Sequence, residues 1–382
     1  MLRTGAATFL TLCLCLSAHA QTATDSIPQP PPLKAGWWLI PGTDIRMTMG
    51  GYIKLDLIHD LSPIGSPNFF DVSKIPTDGS TGSSTRLQAQ ETRLRWDFRR
   101  DSKYGEVRGY MEGDFYGGAG NPFRLRHAYV DIGGRWLVGQ TWSTFMDENI
   151  IPPTLDYEKP AAYAFARHAM IRYTQPLGDK TFIALALEQP SASIQTPEPG
   201  KVNNPLPDFA MRARRTGKWG HVQLSGFLGG AEFQPDSGST SNVLTYGVNL
   251  SGQVNFGKKD KFIYQGIYGP GLARYRFGNY AAPDSTGKIQ AITGMGFTAG
   301  VLHHWSDAWS SFVMYNYGTV EPTDLQNPGD SKTTSYVAAN LQWHFTSFAW
   351  AGVEYLHGTN ENVVGQDGSA DRIMLSVQMN IN

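Results

Sequence analysis

Arginines at alternate positions carry the strongest chemical signal in this chain. In Arg93-Leu94-Arg95-Trp96-Asp97-Phe98, the residues Arg93, Arg95 and Asp97 share one side of an extended strand. Leu94, Trp96 and Phe98 share the other. Arg108 lies between Val107 and Gly109, Arg172 between Ile171 and Tyr173, and Arg212 and Arg214 alternate with Met211 and Ala213. A guanidinium stays charged and presents a planar fork that matches a carboxylate. Several along one wall of a narrow aqueous bore would concentrate anions and repel cations. Arg126 joins the set if a bulge over 124–132 turns both Arg124 and Arg126 inward. A structural role is the alternative, with these arginines pairing to Asp97, Glu106, Glu112 and Asp114.

Strands with this pattern have grease on one side and water on the other. In a soluble sandwich the greasy side is the core. Repeated through an exported chain, the pattern inverts, with apolar side chains in lipid and charge around a lumen. About sixteen such stretches follow Ile45, ending near 371–382. They predict an all-β fold, a transmembrane antiparallel β-barrel of about 16 strands over residues 45–382, with a constriction loop folded into the lumen. An arginine at mid-membrane on the lipid face would cost about 2–4 kcal/mol. Several would consume much of a domain's net stability of roughly 5–15 kcal/mol, so the arginines are expected inward. Tight turns such as Gly133-Gly134-Arg135 and Gly178-Asp179 alternate with long loops near 59–84, 144–166, 190–206, 269–288, 320–332 and 358–370. That asymmetry suits short periplasmic turns and long external loops. Tryptophans near the tight turns (Trp136, Trp219, Trp305, Trp309, Trp350) read as an interfacial girdle.

Residues 1–20 read as a secretory signal peptide: Arg3, an apolar stretch over Phe9–Leu16, and Ala18-His19-Ala20 at the cleavage site. Both cysteines, Cys13 and Cys15, fall inside it. The mature chain then needs no disulfide or metal thiolate, although it enters an oxidising compartment. Residues 21–44 form a Pro-rich periplasmic leader containing Pro30-Pro31-Pro32. The whole chain has 32 basic and 33 acidic residues, a balance that implies no nucleic-acid partner. No apolar run long enough for a membrane helix follows the signal, which says nothing against a barrel.

The loop from Ser143 to about Arg167 is the expected constriction. It carries Asp147, Glu148, Asp156, Tyr157 and Glu158, stiffened by Pro152-Pro153 and Pro160. Its four carboxylates facing a basic wall would set a transverse field; an acidic loop in solvent is the other reading. Later strands offer Asn249, Gln253, Gln265, Asn316, Asn340, Gln342 and His344, predicting a lumen basic on one side and neutral polar on the other. Catalytic signatures are weak. There is no nucleophile elbow, zinc-helix pair or phosphate-cradling loop. His303 and His304, adjacent on a strand, point to opposite faces and cannot chelate together. The reading is therefore not an enzyme, with no cofactor, no metal and no catalytic residue.

The segment Leu137-Val138-Gly139-Gln140-Thr141-Trp142-Ser143-Thr144-Phe145-Met146-Asp147 resembles the strand-and-loop signature of the DcaP-like outer-membrane porins. So does Arg124-Leu125-Arg126-His127-Ala128-Tyr129-Val130-Asp131. The resemblance runs from about Gly50 to the C-terminus. It implies a homotrimer of 16-stranded barrels in the outer membrane of a Gram-negative bacterium, in contact with membrane lipid and passing small anionic solutes such as dicarboxylates. It also implies that the inward arginines and the loop from Ser143 line the constriction. Two features depart from the family: the leader is too short for its N-terminal coiled coil, and the chain finishes on Asn382 where barrels commonly carry an aromatic residue. A neutral-sugar porin, a barrel hydrolase and a secreted ligand-binding β-protein are the rival readings.

Overall fold

The structure, a computed structural model, describes residues 35–191, 193–275 and 278–381. The expected signal peptide, nearly all of the Pro-rich run and Asn382 lie outside the described residues. Sixteen antiparallel strands make the barrel. They are β1 (Arg46–Asp60), β2 (Arg93–Ser102), β3 (Gly105–Asp114), β4 (Arg124–Ile132), β5 (Trp136–Trp142), β6 (Arg167–Pro176), β7 (Thr181–Glu188) and β8 (Asp208–Gly217). The remainder are β9 (Gly220–Pro235), β10 (Ser241–Phe256), β11 (Asp260–Pro270), β12 (Thr293–His304), β13 (Trp309–Glu321), β14 (Ser331–Trp343), β15 (Ala349–Asn362) and β16 (Asp367–Ile381).

Each strand pairs with its chain neighbours, and β1 pairs with both β2 and β16. The sheet is therefore closed, and its backbone groups are satisfied without an edge in lipid. A short strand, Ser84–Gln88, continues the β2 line along Asp56–Asp60 of β1. At Gly51 the backbones of β1 and β2 come so close that a Cβ would sit 1.9 Å from the Arg93 carbonyl oxygen, at φ +127°. Trp38–Leu39, read as leader, pairs onto β1 at Met47 and Arg46.

The faces are inverted as the alternation requires. Ile53, Leu55, Met211, Leu250, Phe297 and Leu375 are exposed, whereas Lys54, Asp56, Arg212, Ser251, Thr298 and Ser376 are buried. Water would not tolerate that exterior; hydrocarbon does. A bulge in β4 leaves Arg126 without a direct partner, because Glu112 faces His127 while Gly113 faces Leu125. Consecutive residues Arg126 and His127 are thus both buried inside, while Leu125 and Val130 stay outside.

Two expectations need correction. The loop expected near 358–370 is a turn over 363–366, because β15 and β16 continue as a regular hairpin. Trp136, Trp219, Trp305 and Trp309 are all exposed, as a girdle requires. Trp350, however, shares the parity of the inward Glu354 and Leu356, and so does not belong to it.

The interior is the larger surprise. Three inter-strand loops fold inward, over 61–83, 143–166 and, among the described residues, 271–275 with 278–292. They bring Phe70, Val72 and Ile75 from the first and Met146, Ile150 and Tyr163 from the second against Phe312, Met314, Tyr336, Leu356 and Met374 of the wall. From the third loop, Leu272 and Tyr275 join Phe145, Phe227 and Ile267. The β11–β16 side of the lumen thus carries an apolar core beside the neutral polar residues that the sequence suggested. Alternation shows which side faces inward, but not that a distant loop will dry it.

Candidate channel lining

The arginines expected to form the basic wall come from β2, β3, β4, β6 and β8. Arg93 turns inward, its guanidinium 5.0 Å from the Tyr52 ring and 3.5 Å from Glu112. Arg95 is exposed, in register with Glu112. Arg108 donates to Asp97 at 3.0 Å and to the Tyr129 hydroxyl at 3.2 Å, and lies over Tyr110. Arg126 is buried and donates to Glu112 at 3.0 Å and Asp114 at 2.9 Å. Arg172 reaches the Trp142 carbonyl at 3.5 Å, and among the described residues no carboxylate lies within ion-pair distance of it.

Arg212 and Arg214 also turn inward, but the constriction loop covers them. Arg212 donates to Glu148 at 2.7 Å, and Arg214 to Asp147 at 2.8 Å. Asp147 is fully buried and additionally meets His221 Nε2 at 2.7 Å and Ser251 Oγ at 3.1 Å. Burial opposes ionisation of Glu148, but the Arg212 and Arg214 guanidiniums outweigh it and hold the carboxyl down at about 2.

The loop's other end docks on the opposite wall. Asp156 accepts from Arg372 at 2.9 Å, and its backbone N–H donates to Glu354 at 2.8 Å. Arg372 bridges on to Asp60 at 2.6 Å, which also binds Arg86. The neutral residues of the late strands hold loop backbone. Asn249 donates to the Phe145 carbonyl, Asn340 and Gln342 to the Pro153 carbonyl, and Gln265 accepts from Ala164 N–H. Loop peptide groups removed from water need such partners, so this polar wall is a dock.

Three of the loop's four carboxylates are therefore spent on pairing. Asp147, Glu148 and Asp156 are each matched by a cation on the wall that they touch. Glu158 is buried beside them. Tyr157 behaves differently, its hydroxyl facing Arg124 at 2.8 Å, Arg167 at 3.4 Å and Arg126 at hydrogen-bond range. Arg167 and Arg372 belong to the interior but are not singled out from sequence, and Arg124 enters there only through the bulge. Parity alone would have found Arg372, which alternates with Ile373 and Leu375. Arg124 needed the bulge, and Arg167 sits where loop becomes strand. Trp142, at a strand end, lies inside, with Arg167 4.7 Å and Arg126 5.8 Å from its ring.

A closed barrel, apolar outside and charged within, narrowed by inward loops, defines the class: an outer-membrane channel. The chain belongs to the Porin subfamily, whose profile matches residues 33–363, and it resides in the outer membrane of a Gram-negative bacterium. Among solved structures it is similar to the outer-membrane channel DcaP of Acinetobacter baumannii, with TM-score 0.81 and 21% identity over 88% of this chain and 97% of that one. It is also similar to an anion-selective porin from Comamonas acidovorans (TM-score 0.59, 11% identity, 88% and 100% covered). OmpT of Vibrio cholerae gives TM-score 0.57 at 11% identity, with 90% and 100% covered. At these identities the likeness is one of fold. No curated protein sequence matches the chain.

Proposed function

We propose that the channel passes small hydrophilic solutes passively and prefers anions, dicarboxylates among them. One observation carries the reading. Three carboxylates of the loop, Asp147, Glu148 and Asp156, are matched by Arg212, Arg214 and Arg372, so these three do not offset the guanidiniums of β2–β6. Arg172 and Arg167 then add charge with no carboxylate within ion-pair distance among the described residues. A basic surface bounded by low-dielectric walls raises the local concentration of anions. The family resemblance adds a homotrimer, and the N-terminal pattern adds removal of residues 1–20 on export and a leader over 21–44 ahead of the barrel.

In planar bilayers under a salt gradient, the purified protein should give stepwise conductance and a reversal potential of anion-favouring sign. A cation-favouring sign would refute the selectivity while leaving the fold intact. Arg93→Ala combined with Arg95→Ala should lower the anion-to-cation permeability ratio by about twofold or more. An unchanged ratio would mean that those side chains do not set the lumen field.

A further inference from the structure

Three guanidiniums converge on one uncharged oxygen. Arg124, Arg126 and Arg167 come from two strands, β4 and β6, and all meet the Tyr157 hydroxyl. A phenol is both donor and acceptor, with few lone-pair positions, whereas an oxyanion accepts from many directions. The site is thus better furnished for an anion than for its present occupant. A second observation agrees: Arg167 Nη1 is buried with no hydrogen-bond partner. Among the described residues Arg167 also has no carboxylate within ion-pair distance. The two acids nearby, Glu112 and Asp114, are already engaged. Glu112 meets Arg93 and Arg126, and Asp114 meets Arg124 and Arg126. Three arginines therefore share two carboxylates, and Arg167 is left outside those pairs among the described residues. Trp142 closes one flank, stacking on Arg126 and Arg167, and Phe69 and Tyr116 seat the tyrosine ring at 5.4 and 4.8 Å.

We propose that the Tyr157 hydroxyl holds the place of a solute oxyanion, so that the loop tip competes with a carboxylate for the Arg124–Arg126–Arg167 cluster. This rests on the anion-preferring reading and adds a binding step to it. The solute class is a carboxylate-bearing molecule small enough to enter beside the loop. When one arrives, it exchanges with the phenol, and the loop yields locally. At neutral pH Tyr157 then sets how strongly anions are retained, through competition and not through charge.

The test is current block by succinate through single channels, comparing the unaltered protein with Tyr157→Phe and Tyr157→Glu. The phenylalanine variant keeps the ring and its packing but offers the cluster no oxygen. Its half-blocking succinate concentration should fall by about threefold or more, the scale of one charge-assisted hydrogen bond relinquished by the competitor. Tyr157→Glu supplies a permanent anion and should raise that concentration above that of the unaltered protein. Arg167→Gln, which removes a donor while leaving Tyr157 in place, should weaken block in every background. An unchanged or increased half-blocking concentration in Tyr157→Phe overturns the inference. Reversal potentials from the same channels report separately on the reading beneath it. A cation-favouring sign in the unaltered protein sinks anion preference, whatever succinate does.

Discussion

The two sides of the barrel interior solve the same problem in opposite ways. On the β2–β6 side, charged residues remain partly open: the side chains of Arg93, Arg108 and Arg124 are 20%, 31% and 30% exposed. On the β14–β16 side, Arg372 is 0% exposed and is surrounded by Phe70, Asp60 and Asp156. Both walls use arginine facing inward, yet on one side the guanidiniums stay partly open and on the other Arg372 fastens loops to a dry core. Inward orientation alone therefore does not make a residue part of a pore. What lies on top of it decides.

That contrast predicts unequal costs. Arg372→Met leaves Asp156 without its cation in a buried setting, and Asp60 with only Arg86. Breaking a buried pair costs about 3–5 kcal/mol, so urea unfolding in lipid vesicles should register a loss of that size. Arg93→Ala, on the open side, should cost under about 1 kcal/mol, because Glu112 keeps Arg126 and the site is screened. Equal losses would erase the distinction between the walls. Conductance sharpens it: the Arg372 variant should show larger or noisier single-channel steps, since two inward loops share that anchor.

A smaller effect tests the apolar part of the same side. Met374 is buried against the inward loops, and Met374→Ala should cost about 2–4 kcal/mol. Leu375, its neighbour, is exposed on the lipid face, and Leu375→Ala should cost clearly less in the same assay. If the order reverses, the interior is not packed as a core.

The difference between the walls also explains what could be read in advance. Arg93, Arg95 and Arg108 were legible because their strands alternate cleanly between charge and grease. Fourteen or more residues of regular pairing, as in β16, rest on the same local rule. Phe312, Met314, Leu356 and Met374 broke it, since they put apolar side chains on the face that should meet water. Their reason lies far away in sequence, in Phe70, Val72 and Ile75, and no local pattern announces a partner about three hundred residues distant. The loop's carboxylates are legible in the segment from Ser143, which folds inward, but their cations are not. Pairing Asp156 with Arg372 is a fact of closure, visible only once β16 lies beside β1.

The weakest expected effect concerns pH, and here the two ends of the constriction loop diverge. Glu148, held at about 2 by Arg212 and Arg214, contributes stability present above its unfolded value and lost only as pH falls through about 2. Asp156 has the opposite sign: burial raises it despite Arg372, so acid relieves a cost instead of breaking an anchor. Glu148 thus gives acid no means of releasing its end of the loop, and the Arg212 and Arg214 contacts should persist from pH 7 to about 4. Tyr157 supplies the alkaline arm. Burial pushes its phenol up, but Arg126, Arg167 and Arg124 outweigh that and Asp114, holding it below the usual phenol range. Phe69 and Tyr116, packed on the ring, bring no charge of their own at neutral pH, and Lys159 lies two positions along the loop. Deprotonation places a negative charge among the three arginines, so anion preference should decline as pH rises toward about 10. Reversal potentials measured across that range should drift in the unaltered protein and stay flat in Tyr157→Phe. A drift of equal size in both would assign the alkaline response to other groups and detach it from the open wall.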